Sequence, residues 1–238
     1  LVAFDVSLSM EADDVDPSRF ESARVAAREF IDEVDNNVEV GLISFSGVVD
    51  VAVDPTLDRS ALDRGLDRLE LDESTAIGDA LSVSTRLLVN ATDDEPADQD
   101  DDVAPGVIVL LSDGETTVGR LTSEGAQEAA DAGVPVFTIA FGTDAGVITD
   151  PVSGDRVPVP VRPADLELVA ETTGGAAFVA ETGGELAEVY DQIQMSLGDT
   201  LGEEIEIVKE LTWRWALGAF LVLALAWALS LWWLRGMV

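Results

Sequence analysis

Along residues 1–197, apolar runs of strand length alternate with segments of helical period. That order suits one broad architecture, a mostly parallel sheet with helices on both faces. Residues 1–6 read as the first strand. Asp16-Pro17-Ser18 opens a helix with Pro near its first turn, in which Phe20, Ala23, Val25, Ala26, Phe30, Ile31 and Val34 recur at three- and four-residue spacing. Residues 38–44 and 48–53 form strands joined by Ser46-Gly47, close enough to make a hairpin and one antiparallel edge. Helices at 60–71 and 76–89, a strand at 107–111, a helix at 123–132 and a strand at 134–140 follow. A helix at 163–172, a short strand at 176–180 and a long helix from Gly184 complete the pattern. The expected fold is α/β: a doubly wound, mostly parallel six-stranded sheet with one antiparallel edge strand, in one domain over 1–197 that is large enough to bury a core.

Charge and missing residue types narrow the chemistry. The 238-residue chain has 47 Asp and Glu against 13 Lys and Arg, a net charge of −34, and contains neither His nor Cys. A surface this acidic repels phosphate backbones and the cations are scattered, which argues against nucleic acid as a partner. Without cysteine there is no disulfide framework, thiolate zinc site or thiol nucleophile. Without histidine there is no Ser-His-Asp triad, His-ligated zinc or proximal haem ligand. Any metal here must be held by oxygen.

The charge is uneven. Residues 213–238 contain no acid, two Arg and all five Trp, so residues 1–212 carry 47 acids against 11 bases, a net charge of −36. Between Arg214 and Arg235 lie twenty uncharged residues; at about 1.5 Å per helical residue they span roughly 30 Å, the thickness of a bilayer's hydrocarbon core. Trp213 and Trp215 stand at one end and Trp232 and Trp233 at the other, where indole rings favour the membrane interface. Residues 213–235 are therefore expected to form a transmembrane helix that contacts lipid and holds the chain in a cell membrane, joined to the domain by a helical linker at 198–212. Lys209 and Arg214 at one end and Arg235 at the other are too few to orient it. Residue 1 is Leu, inside an apolar run, and the chain reads as a fragment whose upstream segment is missing.

Two insertions interrupt the alternation. Residues 93–102 hold seven acids in ten positions and read as a solvated loop. Asp98, Asp100 and Asp102 copy the first three ligand positions of an EF-hand loop, but Val103 stands where that loop needs Gly and Val109 where it needs Glu. Residues 146–161, with Asp150-Pro151-Val152-Ser153-Gly154 between Val-rich flanks, read as a surface hairpin.

The informative cluster is Phe4-Asp5-Val6-Ser7-Leu8-Ser9-Met10, at the carboxyl end of the first strand, where open α/β sheets place their ligands. In an extended segment positions 5, 7 and 9 point the same way, so one carboxylate and two hydroxyls converge. Magnesium suits such donors, because it takes a near-octahedral oxygen shell and keeps several waters. Taken alone the pattern is weak, and Ser residues at a strand-to-helix turn also serve as backbone caps. Its context strengthens it. The strand at 107–111 ends in Ser112-Asp113-Gly114-Glu115, and Ser74-Thr75 immediately precedes a helix, so a second carboxylate and a further hydroxyl can face the same crevice.

These residues resemble the von Willebrand factor A (VWA) domain, whose metal-ion-dependent adhesion site combines Asp-x-Ser-x-Ser, a Thr on a second loop and an Asp on a third. Position by position the match is Asp5, Ser7 and Ser9, then Thr75 within Ser-Thr-Ala-Ile-Gly-Asp-Ala-Leu, then Asp113 within Leu-Ser-Asp-Gly. The resemblance implies a Rossmann-like VWA fold and a bound divalent ion, magnesium first, with manganese or calcium as alternatives. It also implies that Ser7, Ser9 and Thr75 contact the ion while the two Asp act through water, leaving an open position for an Asp or Glu of a protein partner. With its terminal span the chain further resembles membrane-anchored bacterial VWA proteins of the BatA type, in which a domain lies between upstream membrane helices and one terminal helix. That implies other VWA proteins or a MoxR-type AAA+ ATPase as partners.

Two other classes compete with binding. One is a scaffold whose metal site is idle. The other is a metal-assisted hydrolase or phosphotransferase using Asp5 or Ser7. Haloacid-dehalogenase-like phosphatases need a second Asp where Ser7 stands, and neither a G-x-S-x-G elbow nor a phosphate-cradling P-loop occurs, so the chain reads as a non-enzyme. The acids outside the site read as a hydrated surface adapted to salt, where screening relieves self-repulsion. The thermal midpoint of the full chain should accordingly climb steeply from dilute buffer to molar salt; a midpoint indifferent to salt would count against that reading.

Overall fold

The computed structural model describes residues 1–93, 106–150 and 153–200. The chain divides into two compact units, Leu1–Gly202 and Glu203–Val238, and all described residues lie in the first. The expected span at 213–235, residues 201–212 of the linker and residues 94–102 of the acidic loop lie outside the described residues. Among the described residues no helix is long and apolar enough to cross a membrane.

In chain order the elements are β1 (Val2–Asp5), a 3-10 turn (Leu8–Glu11), α1 (Arg19–Glu33), β2 (Val40–Phe45), β3 (Val49–Thr56), α2 (Arg59–Asp67) and α3 (Ile77–Asp93). Then come β4 (Ile108–Ser112), α4 (Thr122–Asp131), β5 (Val136–Phe141), the pair β6 (Val147–Thr149) and β7 (Arg156–Pro158), α5 (Pro163–Thr173), β8 (Ala177–Ala180) and α6 (Gly183–Thr200). The main sheet has six strands in the order β3-β2-β1-β4-β5-β8. All neighbours are parallel except β2 and β3, which form the expected antiparallel edge. The 146–161 insertion is the expected hairpin, with β6 antiparallel to β7.

The period-two alternation of strand side chains divides the core into two layers. Val2, Phe4 and Val6 face a layer with Phe20 and Phe30 of α1, Leu62 and Leu66 of α2 and Leu186 of α6. Leu1 and Ala3 face the other, with Ile77 and Leu81 of α3, Ala126 of α4 and Val169 of α5. Central strands covered on both faces read as continuous apolar runs, which is why β1, β4 and β5 stand out in the sequence. Phe4 meets Phe20 edge to face, ring centroids 5.9 Å apart.

The helix ends follow from local chemistry. Ser18 caps α1 by accepting the Glu21 amide at 3.2 Å, and Pro17 precedes that cap instead of lying in the first turn. Asp58 caps α2 by accepting from the amides of Ser60 and Ala61. Pro163 opens α5, and Gly174 closes it in the left-handed region at φ 74°. Val25 is 50% exposed. It lies two residues from both Ala23 and Ala27, about 160° around the helix from each, so its place in the apolar spacing does not bring it into the core. Helix α2 stops at Asp67 instead of continuing to Leu71, because the chain beyond it turns into the crevice at the end of β1, where the Asp72 amide donates to the Val6 carbonyl at 2.8 Å.

Truncating Phe4 to Ala removes a fully buried ring and should lower unfolding free energy by about 3–5 kcal/mol, whereas Val25→Ala should stay within about 0.5 kcal/mol. Urea denaturation of the two variants beside the parent chain measures both.

Candidate metal centre

Strand β1 has β2 on one side and β4 on the other, so the strand order reverses there and a crevice opens beyond the carboxyl ends of β1 and β4. Asp5 is the last residue of β1 and Asp113 follows the last residue of β4. The pairing of Phe4 with Leu111 brings Asp5 level with Ser112. Both carboxylates thus reach the crevice because strand register carries them there, and both are fully buried.

Each oxygen of Asp5 is engaged. Oδ1 accepts the Ser7 amide at 2.8 Å and Oδ2 accepts the Ser112 hydroxyl, which itself accepts the Gly114 amide at 3.1 Å. The hydroxyls of Ser7 and Ser9 lie 2.9 Å apart. The strand has ended by this point, so it is the 3-10 turn at Leu8–Glu11 that returns Ser9 to Ser7, not the extended alternation expected from the sequence. Asp113 accepts the Glu115 amide on Oδ1 at 3.2 Å and Arg19 Nη1 on Oδ2 at 3.4 Å. Its carbonyl accepts the Arg162 amide at 2.7 Å. Gly114 has φ 87°, and a Cβ there would run into the Arg162 carbonyl, so the position after Asp113 requires glycine on both counts.

Thr75 is buried and held between two loops. Its amide donates to Thr117 Oγ1 at 2.9 Å, and its carbonyl accepts the amides of Thr117 and Val118. Three residues earlier, Asp72 bridges Ser7. Ser74 adopts φ 69°, a strained conformation for a non-glycine residue, of the kind found where a site is over-determined by its surroundings. Asp5, Ser7, Ser9 and Asp113 are therefore tied into one hydrogen-bonded and electrostatic cluster. Thr75 joins the same end of the sheet through Asp72 and Thr117.

Burial, then the like charge of Asp113, push the Asp5 carboxyl up to about 7, against the lowering effect of its hydrogen bonds from Ser112 and Ser7. Nearby, burial would raise Asp14, but hydrogen bonds from Arg19 and Thr143 and the charge of Arg19 hold it below the usual carboxylate range.

These donors fit a small hard dication. Adjacent corners of an octahedron with bonds of about 2.1 Å are about 3.0 Å apart, and the Ser7–Ser9 hydroxyl pair has that separation. Two buried carboxylates in mutual repulsion supply the charge a dication would neutralise. Among the described residues no group of three or more acids could hold a metal, so a cation here would have to draw on the hydroxyls as well. Sequence reasoning passed over Ser112 as a partner of Asp5, and it missed Arg19, Asp14 and Thr117. For Arg19 there was one signal: a cation at the first position of a helix opposes the helix dipole and needs a specific partner.

With Asp5 raised above its unfolded value, the metal-free protein binds more protons folded than unfolded between about pH 4 and 7, so stability should fall as pH rises through that window. Asp5→Asn removes the titration. In chelator its stability relative to the parent should rise from pH 4 to pH 8, on top of a fixed cost for turning the Asn amide nitrogen toward the Ser7 or Ser112 donor. Chemical denaturation at the two pH values measures this.

Residues 1–115 match the family model of the von Willebrand factor type A domain. The chain is 38% identical over 206 residues to a UPF0353 protein of Mycobacterium tuberculosis, an alignment covering 83% of this chain and 60% of that protein. It thus spans less than two thirds of that relative's length. The fold is similar to that of BatB from Bacteroides thetaiotaomicron, with TM-score 0.67 and 23% identity over 84% of this chain and 96% of the other. It is similar also to an aerotolerance-related membrane protein from Bacteroides fragilis, with TM-score 0.68 and 23% identity over 82% and 97%. The mussel byssus protein PTMP1, in a form with a zinc-occupied MIDAS motif, aligns with TM-score 0.60 and 16% identity over 81% and 46%. Over residues 1–115 the chain is thus similar in sequence to the von Willebrand factor type A domain.

Proposed function

We propose that the domain binds one divalent cation, magnesium in the first instance, at Asp5, Ser7, Ser9, Thr75 and Asp113, and uses it to capture an acidic side chain of a protein partner. The observation that carries this reading is the 2.9 Å spacing of the Ser7 and Ser9 hydroxyls beside two buried carboxylates. Bound there, the ion supplies a positive centre with neutral oxygen ligands and a position open to an acid. The zinc-occupied motif of the mussel protein supports a metal at this place in the fold. Asp5 is buried with both oxygens committed to Ser7 and Ser112, an arrangement that suits holding an ion better than attacking a substrate. The 213–235 span tethers the domain to a membrane, a placement supported by the membrane protein of Bacteroides fragilis. Within a membrane complex, a companion VWA protein or a MoxR-type ATPase is the partner we propose.

Calorimetric titration of the full chain in detergent with magnesium should show one site, lost in Asp5→Ala and in Ser7→Ala. Absence of binding by the parent chain overturns the metal reading. Membrane partners co-purified with magnesium should be released by chelator, and recovery of the same partners in both conditions would favour a scaffold with an idle site.

A further inference from the structure

Arg19 is fully buried, and a guanidinium removed from water is tolerated only if its donors find acceptors and its charge a counter-charge. Nε and Nη2 form a bidentate pair with Asp14 at 2.8 and 2.7 Å. Nη2 also donates to the carbonyls of Thr143 and Val159 at 3.1 and 3.0 Å, on either side of the β6–β7 hairpin, and Nη1 donates to Asp113 Oδ2 at 3.4 Å. The backbone leaves room for this fork: a Cβ at Gly142 or at Gly146 would collide with it. Asp14 is fixed in turn by the Thr143 amide and hydroxyl, at 2.7 and 2.8 Å.

Two consequences meet at Asp113. Its Oδ2 is engaged by Arg19 and its Oδ1 by the Glu115 amide, so neither oxygen is free to swing toward the Ser7–Ser9 hydroxyls without breaking a bond. The bidentate contact leaves most of the Arg19 charge with Asp14, while the longer contact places the remainder against Asp113. We infer that Arg19 is a positioning residue of the metal centre: it restrains Asp113 from becoming a direct ligand, so that the ion keeps positive charge for the incoming acid. This rests on the metal reading of the site given above. The design trades ion affinity for ligand affinity, and Asp14 sets how far, by neutralising Arg19 from the side away from Asp113.

Manganese serves as the probe, added to the full chain in detergent. Electron paramagnetic resonance counts free ion, and water-proton relaxation counts the waters kept on the bound ion. Arg19→Gln should bind manganese about ten-fold tighter and with one water fewer, because Asp113 is released into the inner shell. Asp14→Asn, which strips Arg19 of its main counter-charge, should bind about ten-fold weaker with the water count of the parent. A residue that served only the fold would weaken binding in both variants, so the opposite signs separate the two roles. The inference is overturned if folded Arg19→Gln, checked by circular dichroism, binds manganese no tighter than the parent and with the same waters. Should Arg19→Gln fail to fold, Asp14→Asn is read by affinity and waters together: weaker binding with the parent's water count supports the inference, and parental affinity or a changed water count overturns it. If the parent chain takes up no manganese, the metal reading itself fails and the role of Arg19 falls with it.

Discussion

Two carboxylates share one dry crevice, and the arrangement of the surrounding loops depends on that. Asp5 and Asp113 arrive at the ends of neighbouring parallel strands, both fully buried, with the sheet bringing them together by register. Neutral donors soften the repulsion without cancelling it. Two hydrogen bonds reach Asp5, yet its carboxyl remains raised to about 7 because burial outweighs them. A fold that accepts this cost does so at a place where a cation can recover it, and the end of β1, where the strand order reverses, is the place α/β sheets reserve for ligands.

The loops that close the crevice show the same logic in their local chemistry. Ser74 holds an unfavourable φ immediately before Thr75, and Thr117 secures Thr75 from the loop that follows Asp113. Asp72 is drawn from the end of α2 onto Ser7 and Val6. The cluster around Arg19 then joins Asp113 to the carbonyls flanking the β6–β7 hairpin. Three separate loops and one hairpin are in this way referred to a single pair of strand ends. Positions so constrained hold their donors with little conformational freedom, which is what a weakly basic set of hydroxyls needs to compete with water for a dication.

Most of the fold was legible because its signals are local and repeated. Strands such as β4 and β5 are apolar on both faces, and α5 begins at Pro163 and ends at Gly174 as its chemistry dictates. The proposed donor positions Asp5 and Asp113 stand at the ends of β1 and β4, Ser7 and Ser9 at the 3-10 turn after β1 and Thr75 just before α3, and their role as metal ligands is the proposal made above. What escaped was decided by contacts distant in sequence. Helix α2 yields its last turn to Asp72's contacts with Val6 and Ser7, and nothing local marks that. Val25 has the right residue type but, two residues from both Ala23 and Ala27, the wrong azimuth. Arg19 contacts Asp113, Thr143 and Val159, partners 94, 124 and 140 residues away, so only its discord with the helix dipole hinted at a role. The convergence of Ser7 and Ser9 was anticipated, but through an extended strand, where the chain instead uses a 3-10 turn.

The net charge of −36 over residues 1–212 bears on how such a site recognises an acid. At physiological salt, surface charges more than about 8 Å from an approaching carboxylate are largely screened, so the diffuse acidity sets a modest barrier to approach. At contact the terms differ in scale: a unit pair at 4 Å is worth about 4 kcal/mol at an effective dielectric of 20, and a dication roughly doubles it. Under the proposed function, recognition at the Asp5–Asp113 crevice would therefore be governed by contact and not by long-range steering. Added salt then acts in one direction on two levels, relieving repulsion within the domain and between domain and ligand, while the short-range bond to the ion is screened least. The acidic surface is thus compatible with the proposed capture of an acid, because the two would operate over different distances.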